Sequence, residues 1–116
     1  MAELAGERCR AGGTPPLPAA DLAELLAQLD PAWELSRTLL RRHFGLPDYA
    51  TSFTLATGIA LLAEREGHHP DLHLGWGHLD VDLSTHAAGG LTRNDFVMAA
   101  KIDRLAARFG QAGGEP

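Results

Sequence analysis

The apolar positions along this chain change period several times, and each change marks an element. Leu22, Leu25, Leu26 and Leu29 keep the three- and four-residue spacing of one helix face. They predict a short amphipathic helix that opens near Pro18 and ends before Pro31. Trp33 to Ser36 and Thr38 to Phe44 are strand-compatible runs, and Ser36-Arg37 between them suits a hairpin turn. Leu46-Pro47-Asp48 breaks the pattern, with Asp48 placed to cap a second helix. Tyr49 to Glu66 is the longest periodic stretch. Phe53, Ala56, Ala60 and Ala63 form a stripe that Leu55, Ile59 and Leu62 widen, and Gly67 stands where a helix stops. Gly58 in its middle costs up to about 1 kcal/mol relative to alanine; a close helix–sheet contact is the expectation it raises.

The period then becomes two. Leu72, Leu74 and Trp76 alternate with Asp71, His73 and Gly75; after Gly77, Leu79, Val81 and Leu83 alternate with Asp80, Asp82 and Ser84. That is a hairpin with one buried face and one wet face. Ala87-Ala88-Gly89-Gly90 leads into a last helix, where Thr92 and Asp95 resemble a capping box and Phe96, Ala99, Ile102, Ala106 and Phe109 carry the apolar stripe. The order is α-β-β-α-β-β-α, an α+β fold in which helices cover one face of an antiparallel sheet. Residues 1–17, with Gly12-Gly13-Thr14-Pro15-Pro16, read as a flexible N-terminal tail, residues 18–110 as the domain and 111–116 as a C-terminal tail.

Composition narrows the classes. At 116 residues one core is expected, and a chain this short gains from oligomerisation. The net charge of -5 and the lack of a basic stripe argue against direct nucleic-acid binding; the densest cationic run, Arg41-Arg42-His43, falls inside a strand. No segment approaches the roughly 18 apolar residues of a membrane span, and none reads as a signal peptide, so a cytoplasmic protein is expected. Cys9 is the single cysteine, which excludes an intrachain disulfide and a cysteine-based metal site; in a tail, it is expected to be inert.

The unusual component is histidine: six in all, four of them between His68 and His78. His68-His69-Pro70-Asp71 joins the long helix to the second hairpin, and Pro70 holds His69 extended. His86 lies just past the last strand. Antiparallel pairing about a turn near Gly75-Trp76-Gly77 brings the entrance and the exit of the hairpin to one end, so His68, His69 and His86 should meet there. Three imidazoles suit a tri-histidine zinc site or general acid–base catalysis. Adjacent histidines make awkward ligands to one metal and no H-x-x-x-H spacing occurs on a helix, which favours the acid–base chemistry. His43, His73 and His78 belong to strands and are expected to be structural. Glu64, one turn before His68, could orient an imidazole, and Asp95 could do so beside its capping role. Trp33 and Trp76 read as core or turn residues.

The ordered set Glu64-x-x-x-His68-His69-Pro70-Asp71, Trp76-Gly77, Ser84-Thr85-His86-x-x-Gly89-Gly90-Leu91-Thr92-x-x-Asp95 and Ala100-Lys101-Ile102-Asp103 closely resembles the pterin-4a-carbinolamine dehydratases, over roughly residues 20 to 108. The resemblance implies a four-stranded antiparallel sheet with three helices on one face. It implies a cofactor-independent, metal-free dehydration of 4a-hydroxytetrahydropterin to the quinonoid dihydropterin, in support of tetrahydrobiopterin recycling for aromatic amino-acid hydroxylation. Carried over, His68, His69 and His86 are the catalytic residues. Glu64, Pro70, Ser84, Thr85, Ala87, Ala88 and Asp95 are the substrate-binding ones. A homodimer or homotetramer is implied, with a small pterin as partner and neither nucleic acid nor membrane. The alternative is a non-catalytic binding module of the same fold, a transcriptional coactivator or an assembly factor. Relatives sharing the Gly-Gly-x-Pro-Pro-Leu stretch often carry two nearby cysteines, where this chain has Cys9 alone.

Overall fold

A computed structural model describes residues 3–12, 14–36, 38–85 and 88–110. Three helices, α1 (Ala19–Leu26), α2 (Tyr49–Glu66) and α3 (Arg93–Ala107), alternate with β1 (Glu34–Leu35), β2 (Leu40–Gly45), β3 (Asp71–Gly75) and β4 (His78–Leu83). All strand pairs are antiparallel, in the order β1-β2-β4-β3, so the second hairpin enters the sheet with its later strand inward. The α-β-β-α-β-β-α reading holds throughout. Arg37 of the expected first turn and the expected C-terminal tail, 111–116, lie outside the described residues.

The period-2 pattern explains the two faces of the sheet. Leu40, Arg42 and Phe44 of β2 and Leu79, Val81 and Leu83 of β4 lie buried on the helix side. Arg42 is the polar member of that face. Its guanidinium meets Asp103 at 2.6 Å and Asp30 at 3.6 Å and lies over the Phe44 ring, so its charge is matched where it is desolvated. Asp103 also accepts from the Trp33 indole at 2.6 Å, tying the helix layer to the chain before β1; burial holds its carboxyl above the usual range despite these donors. On the open face the basic run of β2 is neutralised across strands, with Arg41 on Asp82 and His43 on Asp80, each at 2.6 Å. His43 therefore has the partner that the sequence alone did not supply. His78 stacks on His43 with its ring across Gly75, where a Cβ would stand 2.3 Å from the imidazole; a side chain at 75 would displace it.

The capped helix α2 is as expected. The Asp48 side chain accepts from the Thr51 N–H at 2.7 Å, and Gly67 ends the helix in the left-handed conformation. Its buried stripe is shifted from the expected one. Leu55, Ile59, Leu62 and Ala63 face the core, while Phe53 and Ala60 are exposed, because the sheet and α3 cover only one side of the helix. Gly58 approaches Leu105 of α3, not the sheet.

The N-terminal stretch expected to be a flexible tail instead packs on the domain. Leu4 is buried in a 3-10 turn against α3, Lys101 donates to the Ala5 carbonyl at 2.8 Å, and Leu17 N–H donates to the Leu91 carbonyl at 2.9 Å. Side chains of α2 and α3 supply anchors that the Gly-Pro composition does not announce. No helix among the described residues is long and apolar enough to cross a membrane.

Candidate active site

The left-handed turn at Gly67 delivers His68 and His69 from the end of α2 to the start of β3, and the Ala63 carbonyl accepts both the Gly67 and His68 N–H groups. The two imidazoles then part. His68 turns inward, its side chain 12% exposed, and its Nε2 meets Asp95 Oδ1 at 2.6 Å; the carboxylate is fully buried. His69 stays outward, 59% exposed, and its Nε2 meets Glu64 Oε2 at 2.6 Å. Glu64 thus reaches the second histidine of the pair, not the one a helical turn away.

Asp95 is the junction of the site. One oxygen meets His68, and the other accepts from the Thr85 hydroxyl at 2.7 Å and the Thr92 N–H at 2.9 Å. The Thr85 proton is committed to the carboxylate, so in its 2.9 Å contact with Thr92 the Thr92 hydroxyl is the donor. A carboxylate in its ionised form only accepts, and with Asp95 in that form the His68 Nε2 carries the hydrogen between them and Nδ1 lies outside the contact. The same logic at Glu64 leaves the His69 Nδ1 for use. Capping of α3 and orientation of His68 are therefore two duties of one side chain.

The register of β3 and β4 bears on the expected convergence. Asp71 pairs with Asp82, so the residues before β3 and after β4 leave at the same end. Thr85, which precedes His86, shares Asp95 with His68. His86 and Ala87 lie outside the described residues. Ala88 N–H donates to the Thr85 carbonyl at 3.0 Å, closing the chain on either side of them. Ser84 and Thr85, with Thr38, Leu39, Gly89 and Gly90, line a cavity of about 260 Å³. Thr38 and Leu39 come to it through the pairing of Leu40 with Leu83, a contact with no local signal in the sequence. Pro70 is partly buried between the histidines and β3.

Other candidates fall elsewhere. His73 and His78 lie on the open face of the sheet, Trp33 is core and Trp76 stands exposed at the hairpin turn. Cys9 sits against Asn94 and Glu66, and burial, then the Glu66 charge, push its thiol up to about 12, which keeps it protonated. Among the described residues no three His, Cys, Asp or Glu side chains gather as metal ligands.

Comparison with known proteins identifies the family. The family profile "Pterin 4 alpha carbinolamine dehydratase" matches residues 15–105. A Methylococcus capsulatus protein is 45% identical over 83% of this chain and 85% of its own. One from Rubrobacter xylanophilus is 42% identical over 90% of this chain and the whole of its own. Each bears the name "Putative pterin-4-alpha-carbinolamine dehydratase". The crystal structure of a transcriptional coactivator/pterin dehydratase from Brucella melitensis superposes with a TM-score of 0.74, at 33% identity, over 78% of this chain and 98% of that one. A pterin dehydratase-like RuBisCO assembly factor of the alpha-carboxysome shares the fold at 24% identity and a TM-score of 0.53, over 64% of this chain and 86% of that one. With a profile spanning most of its length and relatives at 42% and 45% identity, the chain belongs to the pterin-4a-carbinolamine dehydratase family.

Proposed function

We propose that the protein dehydrates a 4a-hydroxytetrahydropterin, with His68, His69 and His86 as acid, base and substrate-holding groups. The observation that carries this reading is the pair of adjacent imidazoles, each held by its own carboxylate with Nδ1 left free. The reaction breaks the bond from the 4a carbon to its hydroxyl, which leaves as water, and removes the proton on the neighbouring ring nitrogen. The electron pair of that N–H bond becomes the new carbon–nitrogen double bond. One imidazolium to protonate the leaving oxygen and one neutral imidazole to take the nitrogen proton suffice, without a redox partner. A carboxylate behind each ring holds it in one orientation, as proton transfer at a fixed atom requires. Pro70 and the 84–88 segment would wall the ring, and Glu64 and Asp95 act through the histidines.

The test is stopped-flow absorbance on 4a-hydroxytetrahydrobiopterin. Acceleration well above buffer, lost in the histidine variants, supports the reading; a wild-type rate equal to buffer overturns it and leaves the binding-module role. We also propose a homodimer or homotetramer. It is supported by the exposed apolar residues Tyr49, Phe53 and Leu61 of α2 and Leu74 and Trp76 at β3, and light scattering on the eluting protein checks it. A cytoplasmic location accords with the absence of a membrane-length helix among the described residues.

A further inference from the structure

We propose that the cavity between the packed N-terminal segment and the start of α3 binds a small oxyanion, of the kind a phosphate monoester presents. This cavity, about 550 Å³, is separate from the histidine site and falls within the roughly 300–1,000 Å³ of small-ligand sites. Arg8, Arg10 and Arg93 line it with Glu7, and Glu66 stands behind Arg8, so three positive charges less two negative leave +1. That concentration stands against a chain whose net charge is -5.

The three guanidiniums are not equally committed. Arg93 forms a two-pronged pair with Glu7, at 2.9 and 2.7 Å, and Arg8 meets Glu66 at 3.0 Å. The Arg10 guanidinium makes no direct hydrogen bond or close salt bridge among the described residues, although its charge acts on Glu7 from farther off. Its backbone, however, is clamped. The Arg10 N–H donates to Asn94 Oδ1 at 2.9 Å, and Asn94 Nδ2 donates to the Arg10 carbonyl at 2.8 Å. A fixed backbone that carries an uncommitted cation into a cavity is a preorganised donor. Guanidinium offers parallel N–H groups that match the oxygens of phosphate. Leu17 and Val97 supply an apolar wall for the non-ionic part of a ligand. Arg93 and Arg8 are each offset by a carboxylate, so the positive field of the empty cavity comes mainly from Arg10, and an anion beside it would complete its pairing.

The experiment titrates the full-length protein with inorganic phosphate, against sodium chloride at matched ionic strength, by calorimetry and thermal denaturation. Saturable binding and stabilisation specific to phosphate are expected. Arg10→Glu should weaken binding by about tenfold or more, the scale of a lost charge-assisted hydrogen bond. Its circular dichroism should stay as in the wild type, and its phosphate-free melting serves as its own reference, because the reversed charge also acts on Glu7. In nitrogen–proton spectra the Asn94 side-chain amide should move with phosphate while the His68 and His69 signals stay put. Equal affinity in Arg10→Glu, an effect that chloride reproduces, or shifts centred on the histidines would each overturn the proposal. Should Arg10→Glu fail to fold, Arg10→Gln makes the same comparison with the same two outcomes.

Discussion

His68 and His69 are neighbours in the chain, and each has a carboxylate oxygen 2.6 Å from its Nε2, yet their settings are opposite. Asp95 is wholly buried and shares its oxygens among an imidazole, a threonine hydroxyl and a backbone N–H. Glu64 is 76% exposed and holds only His69 among the described residues. The comparison separates geometry from worth. Two contacts of equal length differ in consequence because water screens one and not the other, and because only one is embedded in a network.

Removing the acids should show this most plainly. Asp95→Ala strands the Thr85 hydroxyl, the Thr92 N–H and the His68 Nε2 in a buried place, and should cost about 3 kcal/mol of stability as well as most of the turnover. Urea unfolding and the pterin assay measure the two losses together. A stability unchanged within error would show that the buried side is no more coupled than the exposed one.

Next come the rings themselves. His68→Ala and His69→Ala should each slow dehydration by about 10²–10⁴ while leaving the fold intact, and His86→Ala should do the same. A fall at His68 with none at His69 would confine the chemistry to the buried pair.

A smaller effect is expected at Glu64. Glu64→Gln should lower the rate by no more than about fivefold, the range of an exposed ion pair, and the difference should shrink further in high salt. A loss as deep as that of His69→Ala would mean the exposed carboxylate does more than orient.

The smallest effect separates Glu64 from Glu66, two residues on. Glu66 is buried, which alone would raise its carboxyl, yet the Cys9 N–H, Lys101 and Arg8 together hold it below the usual range. A carboxyl lowered on folding contributes stability that is present above its unfolded value of 4.5 and is lost as pH falls through the lower folded value. Melting measured from neutral pH down through this window should therefore decline less steeply in Glu66→Gln than in the wild type. Parallel declines would remove Glu66 from the clamp on the N-terminal segment.

How legible each feature is in the sequence depends on how local its signal is. Asp48, the apolar face of α2 and Gly67 are close together along the chain, so α2 can be read with its ends. Alternation in the second hairpin announces two strands and their shared end. It cannot tell that Leu79 and Val81 are central and Leu74 half-exposed on an edge, because strand order is set by pairing with β2. Phe53 and Ala60 join the wrong stripe for a related reason: hydrophobicity marks a candidate face, and only the neighbouring elements decide which face is covered. The bond from Asp95 to His68 spans 27 residues, and no spacing rule reaches that far. Residues 1–17 read as a tail because their anchors, Glu66, Asn94 and Lys101, lie on helices far along the chain.

One carboxylate starts α3 and also holds His68, which constrains how a lineage of such proteins can drift. Under the proposed function, a descendant that abandoned the dehydration would lose the need for the two histidines at once. It would still be selected to keep an acid at position 95, since without it the helix begins poorly. An aspartate there answers to the folding of α3, and the imidazole facing it to the proposed reaction.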